Sequence, residues 1–485
     1  MGGFSRRDIC KGLAFAAGAS AVRAGPALAA PIDLNFPADF VWGCASASYQ
    51  IEGAVAEDGR GPTNWDVFSH TPGRVANGDT GDVACDSYHR YAEDTRLLKN
   101  LGAGAYRISL AWSRIFPEGR GQPNQRGIDH YKSVLDNLHE NGITPYVTLF
   151  HWDTPQPIED EGGWPVRGTV DAFCAYVEAV AGRLGDRVGH WITHNEPWVV
   201  SWVGHGWGHH APGRTSEADA LATAHHLLLS HGRAVEILRG LSPKSEVGIT
   251  LNLDYAYAAG EDDGDEAAAA WVDGFHNRWF LDPIFKGAYP ADMVEAWRDV
   301  LPEIQDGDLE TIAAPIDFLG VNNYTSPLVA ADTDGSRSRI VRRADVDRTD
   351  MGWEVVPEGL RDLLLRLARD YAPKGIYVTE NGAAYPDVRG HDGSVGDPER
   401  QSYFEGYIGA AAEAAASGVP LKGYFAWSLL DNFEWAWGYW KRFGLVYVDF
   451  ATLERVPKGS FYWYRDLIAA QRAQGEDTDD AYAVA

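Results

Sequence analysis

From Asp39 onward the chain alternates short β-branched or aromatic runs with amphipathic helical stretches, and it does so eight times. The strand-like runs fall at 40–45, 103–111, 144–151, 190–196, 247–254, 317–324, 375–380 and 423–430. Helical patterns lie at 87–101, 128–141, 169–184, 216–238, 267–281, 357–371 and 398–416, with a closing helix near 461–471. Gly142, Gly375 and Gly418 mark places where helices stop. Strands that alternate with helices pair in parallel, because each helix carries the chain back before the next strand begins. Eight such units predict an α/β fold, a single (β/α)8 TIM barrel. A length of 485 residues would by itself suggest two or three domains, yet barrels run long as one unit and no linker divides this one.

Barrel strands are buried on both faces and should be apolar throughout, so polar groups gathered at their C-terminal ends point to a site. Here the second strand carries Arg107, the third ends His151-Trp152 and the fourth ends Asn195-Glu196. The sixth carries Asn322 and Tyr324, the seventh ends Glu380-Asn381 and the eighth ends near Trp427. Insertions at 151–168, 198–217 and 324–357 are expected to build cleft walls, with Trp198, Trp202, Trp207 and Trp353 as candidate linings of a leaving-group subsite.

Two strand ends carry the strongest signal. Thr193-His194-Asn195-Glu196-Pro197 and Val378-Thr379-Glu380-Asn381-Gly382 each set a Glu where a strand gives way to its loop. Cleaving a glycosidic bond needs two carboxyl groups flanking the anomeric carbon, and the retaining course places them ~5 Å apart. Arg107 and Tyr324 are candidate donors to Glu380, keeping it ionised and nucleophilic. Glu196 beside that charge would hold its proton as acid. Once a glycosyl ester neutralises Glu380, Glu196 becomes free to act as base.

Composition bounds the alternatives. Apolar residues at 45% exclude wholesale disorder, and a net charge of −27 argues against nucleic acid and anionic membrane surfaces as partners. Neither a dinucleotide fingerprint nor a P-loop is present, so no cofactor is expected. No metal site is expected either: the four Cys lack C-x-x-C spacing, and glycines interrupt His205-Gly206-Trp207-Gly208-His209-His210, which predicts a loop. No strand end supplies a Lys for a Schiff-base aldolase.

Residues 1–29 are set apart as a targeting segment. Ser5-Arg6-Arg7-Asp8-Ile9-Cys10-Lys11 resembles a twin-arginine signal, an apolar small-residue run comes next, and Ala27-Leu28-Ala29 offers a cleavage site. This predicts an exported, periplasmic protein with no membrane attachment afterwards. Residues 30–474 form the expected glycosidase barrel, and 475–485 an acidic, frayed tail.

The motifs T-x-N-E-P and V-T-E-N-G resemble those of glycoside hydrolase family 1, and the resemblance runs from Phe36 to about Tyr464. It implies an exo-acting retaining β-glucosidase on a small-molecule β-glucoside or oligosaccharide, with galactosides or fucosides as further substrates. It also implies a sugar pocket. Gln50 matches a residue on the 3- and 4-hydroxyls, His151 a donor to the 3-hydroxyl, and Asn195 a residue on the 2-hydroxyl with Asn322 beside it. Trp427 resembles the stacking platform, Glu434 the acceptor for the 4- and 6-hydroxyls and Trp435 an added donor, with Trp152 a further substrate-binding candidate. A carboxylate facing the 6-position favours an unphosphorylated sugar. The alternatives are a transglycosylating relative and a non-catalytic sugar-binding barrel, and oligomeric state is left open. Two positions depart from the family pattern. His194 takes a slot normally apolar, and regular strand alternation would put it beneath Glu196, in reach of that acid's titration; the plainer expectation is a packed barrel histidine. Asn323 replaces a commoner aromatic.

Overall fold

A computed structural model describes residues 34, 36–332 and 337–482, with side chains described as far as 474. The segment 1–29 therefore lies outside the described residues.

All eight expected strands form, and they close into one barrel. They are β1 (Val41–Ala45), β2 (Ala105–Ser109), β3 (Thr144–Phe150), β4 (His190–Asn195), β5 (Glu246–Asn252), β6 (Phe318–Asn322), β7 (Ile376–Asn381) and β8 (Leu421–Trp427). Each pairs in parallel with its sequence neighbours, and β8 closes onto β1. The lumen is packed in two chemically distinct parts. Tyr146, Ile192, Phe318, Tyr377 and Phe425 fill the lower part with interlocking rings. Gly43 and Gly248 make room for them: a Cβ at Gly43 would lie 2.6 Å from the Phe425 ring, and one at Gly248 2.5 Å from Phe318. Above the rings the lumen turns polar, with Arg107, Thr148, Asn195, Thr250, Asn322, Thr379 and Glu380 all buried.

Two β-bulges decide which side chains reach that polar layer. In β4 the pairing with β5 slips between Ile192 and Asn195, and in β7 the pairing with β6 slips between Val378 and Glu380. A bulge breaks the two-residue alternation and re-aims the side chains beyond it. Ile192 faces the lumen, and after the slip Asn195 does so in place of His194. His194 instead turns outward, where its Nε2 meets Ser230 Oγ at 2.8 Å and its ring stacks on Phe173. The placement beneath Glu196 expected from regular alternation is thus corrected; His194 is a packed histidine between barrel and helix. Asn323 also acquires a role, donating from its amide to the carbonyls of Leu253 and Thr325 at 2.8 and 3.1 Å.

The loop after β8 is anchored by buried charge. Asp431 accepts from Lys458 at 2.7 Å and from Arg442 at 2.7 Å, Lys458 also pairs with Asp387, and Arg400 joins Asp387 to Asp397. Each carboxylate is hydrogen-bonded more than once, the condition under which buried ions are tolerated. The network ties the loop bearing Glu434 and Trp435 to the starts of the two last helices, Pro398–Ala416 and Gly459–Tyr482. The second of these runs on through the acidic stretch to residue 482, so the backbone there continues a helix where the sequence predicts a frayed tail.

Several short elements lie where the sequence shows only loop. His205 and Gly206 end a π-helix, Val199–Gly206, while residues 207–210 of the glycine-interrupted run form the expected loop. The small strands Tyr257–Ala258, Leu328–Ala330 and Arg339–Val341 form a separate sheet. Strands of two or three residues are too short to display alternation. Cys44, Cys85 and Cys174 are buried free thiols. Among the described residues no helix is long and apolar enough to cross a membrane.

Candidate active site

A cavity of about 420 Å³ opens over the polar end of the lumen, and both motif carboxyls line it. Of the twelve residues singled out in the sequence, His151, Trp152, Glu196, Asn322, Tyr324, Glu380, Trp427, Glu434 and Trp435 are in its wall. Arg107, Asn195 and Gln50 stand one layer behind, fully buried.

Glu380 is held from both sides. Arg107 Nη1 donates to Oε1, and the Tyr324 hydroxyl donates to Oε2 at 2.6 Å. Arg107 is itself fixed, giving Nη2 to Asn195 Oδ1 at 2.6 Å and Nε to Thr148 Oγ1 at 3.2 Å. Charge-assisted bonds of this kind favour the ionised carboxylate. Burial, then the charge of Glu380, push the Tyr324 phenol far up, so it remains a donor.

Glu196 stands in different surroundings. It receives one hydrogen bond, from Asn322 Nδ2 at 2.6 Å. Burial first, and the negative charge of Glu380 second, push its carboxyl well above the ordinary range. Two carboxyls of one cavity are thereby split, one clasped by donors and one pressed toward its protonated form. The backbone at Glu196 is left-handed, with φ of 50°, as it is at Trp152 (77°) and Trp435 (50°). Non-glycine residues rarely adopt such angles, and they collect at sites whose surroundings over-determine them.

One amide sets the hydrogen-bond direction through the layer. Asn195 Oδ1 accepts from Arg107 and from Asn322, at 2.6 and 3.1 Å, so its Nδ2 must be what faces His151 Nε2 at 3.1 Å. That makes Nε2 the acceptor and leaves the His151 proton on Nδ1. Burial and the nearby Arg107 charge lower this imidazole far below its usual value, so it is neutral. Trp152 supports the same residue, its indole donating to the Asn195 carbonyl at 3.0 Å. Asn322 is oriented in turn by Thr379, whose hydroxyl donates to Oδ1 at 2.8 Å. Neither Thr148 nor Thr379 stood out in the sequence; a threonine in an apolar strand gives no signal until its partner is known.

The remaining candidates gather at the opposite wall. Gln50 Nε2 donates to Asn432 Oδ1 and the Phe433 carbonyl, both at 3.0 Å, and so braces the loop that presents Glu434. The Glu434 carboxyl is pushed up to about 8, by burial and then by Glu380. Gln50 Oε1, His151 Nδ1 and Glu434 Oε2 are buried and find no partner among the described residues. Trp435 lies 4.5 Å from Trp152, and His151 stacks between Trp435 and Trp427 at 5.9 and 6.1 Å. Trp198 and Trp353 line the cavity as expected, while Asp254, His276, Met351 and Trp437 join it unannounced.

Residues 32–473 match the family model described as Glycosyl hydrolase family 1. The chain is 48% identical over 440 residues to Beta-glucosidase A of Acetivibrio thermocellus, covering 90% of this chain and 98% of that protein. It is 47% identical over 436 residues to the 1,4-beta-D-glucan glucohydrolase of Thermotoga neapolitana, covering 90% and 98%. Among solved structures, the beta-glucosidase from Thermotoga maritima in complex with glucoimidazole superposes with a TM-score of 0.88 at 48% identity, covering 90% of this chain and 99% of that one.

Proposed function

The chain belongs to glycosyl hydrolase family 1, and from that membership we propose that this retaining β-glucosidase works through Glu380 as nucleophile and Glu196 as acid and base. Its substrate is a small-molecule glycoside. The observation that carries the residue roles is the split between the two carboxyls: Glu380 is clasped by Arg107 and Tyr324, whereas Glu196 is buried with a single amide donor. In the first step Glu380 attacks the anomeric carbon while Glu196 gives its proton to the departing oxygen. The ester so formed is neutral, which removes the repulsion that holds the Glu196 proton. Glu196 then takes a proton from water, and the water oxygen displaces Glu380 from carbon.

Glucose recognition rests on the groups that the protein leaves unpaired. Buried polar atoms without partners are uncommon and call for a ligand or water. Gln50 Oε1, Glu434 Oε2 and the proton-bearing His151 Nδ1 supply two acceptors and one donor, a set suited to sugar hydroxyls. Trp427 forms the platform beneath the ring, with Trp435 at its edge. Asn195 keeps one amide proton unspent beyond those used on His151, available to the 2-hydroxyl. β-1,4-linked glucose oligomers are a second substrate class, favoured by the likeness to the glucan glucohydrolase.

Glu380→Gly tested with azide checks the mechanism. Activity on nitrophenyl β-glucoside should fall by several orders of magnitude and return with azide, yielding an α-glucosyl azide. A β-configured azide from Glu380→Gly, or an α-configured azide from Glu196→Gly, would reverse the assignment. Export is part of the same proposal, supported by Arg6-Arg7 and Ala27-Leu28-Ala29. Replacing both arginines by lysine should hold activity inside the cell, and unchanged fractionation would refute it.

A further inference from the structure

The barrel closes where β8 meets β1, and the segments that leave those two strands are bound to each other. The short helix Ser48–Ile51 follows β1, and the run Ser428-Leu429-Leu430-Asp431-Asn432-Phe433-Glu434 follows β8. The Phe433 amide donates to the Gln50 carbonyl at 3.1 Å, and Gln50 Nε2 returns a bond to the Phe433 carbonyl at 3.0 Å. A carbonyl can only accept, so the second contact fixes which end of the Gln50 amide is nitrogen. The other Nε2 proton goes to Asn432 Oδ1, also at 3.0 Å. Asn432 is oriented in the same way. Its Nδ2 donates to the Leu430 carbonyl and to Ser428 Oγ, both at 3.0 Å, which leaves Oδ1 turned to Gln50. Ser428 spends its own proton on the Leu430 carbonyl at 2.8 Å, so toward Asn432 it can only accept.

Both amide protons of Gln50 are thus used within the protein, while Oε1 is buried and has no partner among the described residues. Gln50 is fully buried and Asn432 nearly so, which keeps solvent from replacing either contact. The last torsion of a glutamine is broad, so an amide held by one bond can swing. Two bonds on one nitrogen hold the oxygen in one direction. The Phe433 carbonyl is main chain and comes with the loop; the second hold is the contribution of the Asn432 side chain. We propose that Asn432 is a positioning residue for sugar recognition, which aims Gln50 Oε1 at a hydroxyl of the glucosyl ring and acts only through Gln50. This rests on Gln50 Oε1 being a sugar contact. An acceptor fixed by such a supporting shell cannot turn to another partner when its hydroxyl is missing, and so discriminates more sharply against the deoxy sugar. The bonds of Asn432 to Leu430 and Ser428 would by themselves make it a brace for the loop, a role indifferent to the substrate.

The test measures kcat/KM for nitrophenyl β-glucoside and its 2-, 3-, 4- and 6-deoxy analogues in the full chain, in Gln50→Ala and in Asn432→Leu. Leucine is close to asparagine in shape and offers no polar atom. Gln50→Ala should be nearly harmless on the analogue that lacks the hydroxyl Gln50 receives, and this identifies the position. Asn432→Leu should lower kcat/KM about tenfold on the glucoside, and by less than about twofold on that same analogue. Losses that are equal on every substrate, or no loss on any, overturn the proposal and leave Asn432 a brace for the loop. If Asn432→Leu does not fold, Asn432→Ala carries the same comparison with the same outcomes. Failure of the premise reads out separately: Gln50→Ala would then cost the same on every analogue, whatever Asn432 does, and the proposal would fall with it.

Discussion

Replacing Glu380 by Gln should lower the pKa of Glu196 and still leave it above 4.5, the value of an unperturbed glutamate. Burial is the larger cause of the elevation and the Glu380 charge the second; the amide removes only the second. Two like charges ~5 Å apart at an effective dielectric constant of about 20 repel by ~3 kcal/mol, which sets the scale of the second cause. Arg107 reinforces the fall, because its charge, paired with Glu380 in the parent chain, then acts uncompensated beside Asn195 and Glu196. The hydrogen bond from Asn322 is untouched. Carbon-13 NMR titration of protein labelled at the glutamate carboxyls measures the shift, with Glu196→Gln assigning the resonance. A pKa that moves by less than about half a unit would mean that the two carboxyls do not sense each other, and the acid-to-base switch would lose its cause. A fall all the way to 4.5 would instead refute burial as the larger cause.

Three further outcomes rest on named contacts. Glu434 titrates near 8 in the folded chain against 4.5 unfolded, so its burial destabilises the fold progressively between those values. Glu434→Gln should raise the melting temperature little at pH 5 and most above pH 8, while raising KM for glucosides; a gain that is largest in acid would contradict the sign. Lys458→Met leaves Asp431 with Arg442 and the Gly444 amide, and Asp387 with Arg400, and should cost ~3 kcal/mol in denaturant unfolding. A loss below ~1 kcal/mol would show that the arginines suffice. His194→Leu should leave the pH–rate profile where it is and cost ~1 kcal/mol, since Ser230 keeps its bond to the Leu227 carbonyl. A displaced basic limb would restore the histidine to the acid's surroundings.

The barrel and its two glutamates were legible in the linear chain because both are written in short-range patterns. Eight apolar runs separated by amphipathic helices leave little choice of architecture, and a polar residue ending a buried run marks the mouth. Arg107 and Tyr324 could be matched to Glu380 for the same reason, since strand ends of a closed barrel converge. Orientation was not legible. His194 points outward and Asn195 inward because β4 slips one register against β5, and that slip is a property of the pair of strands, visible in neither alone. A second cavity beside the first likewise draws on segments from 198 to 340, and no local window shows that Trp202 and Phe275, 4.7 Å apart in its wall, will be neighbours. Period and residue type thus decided the fold and where its chemistry gathers. Tertiary packing alone decided which side chains face the cavity and how hard burial presses on Glu196 and Glu434, because desolvation is the work of surrounding atoms that sequence distance does not order.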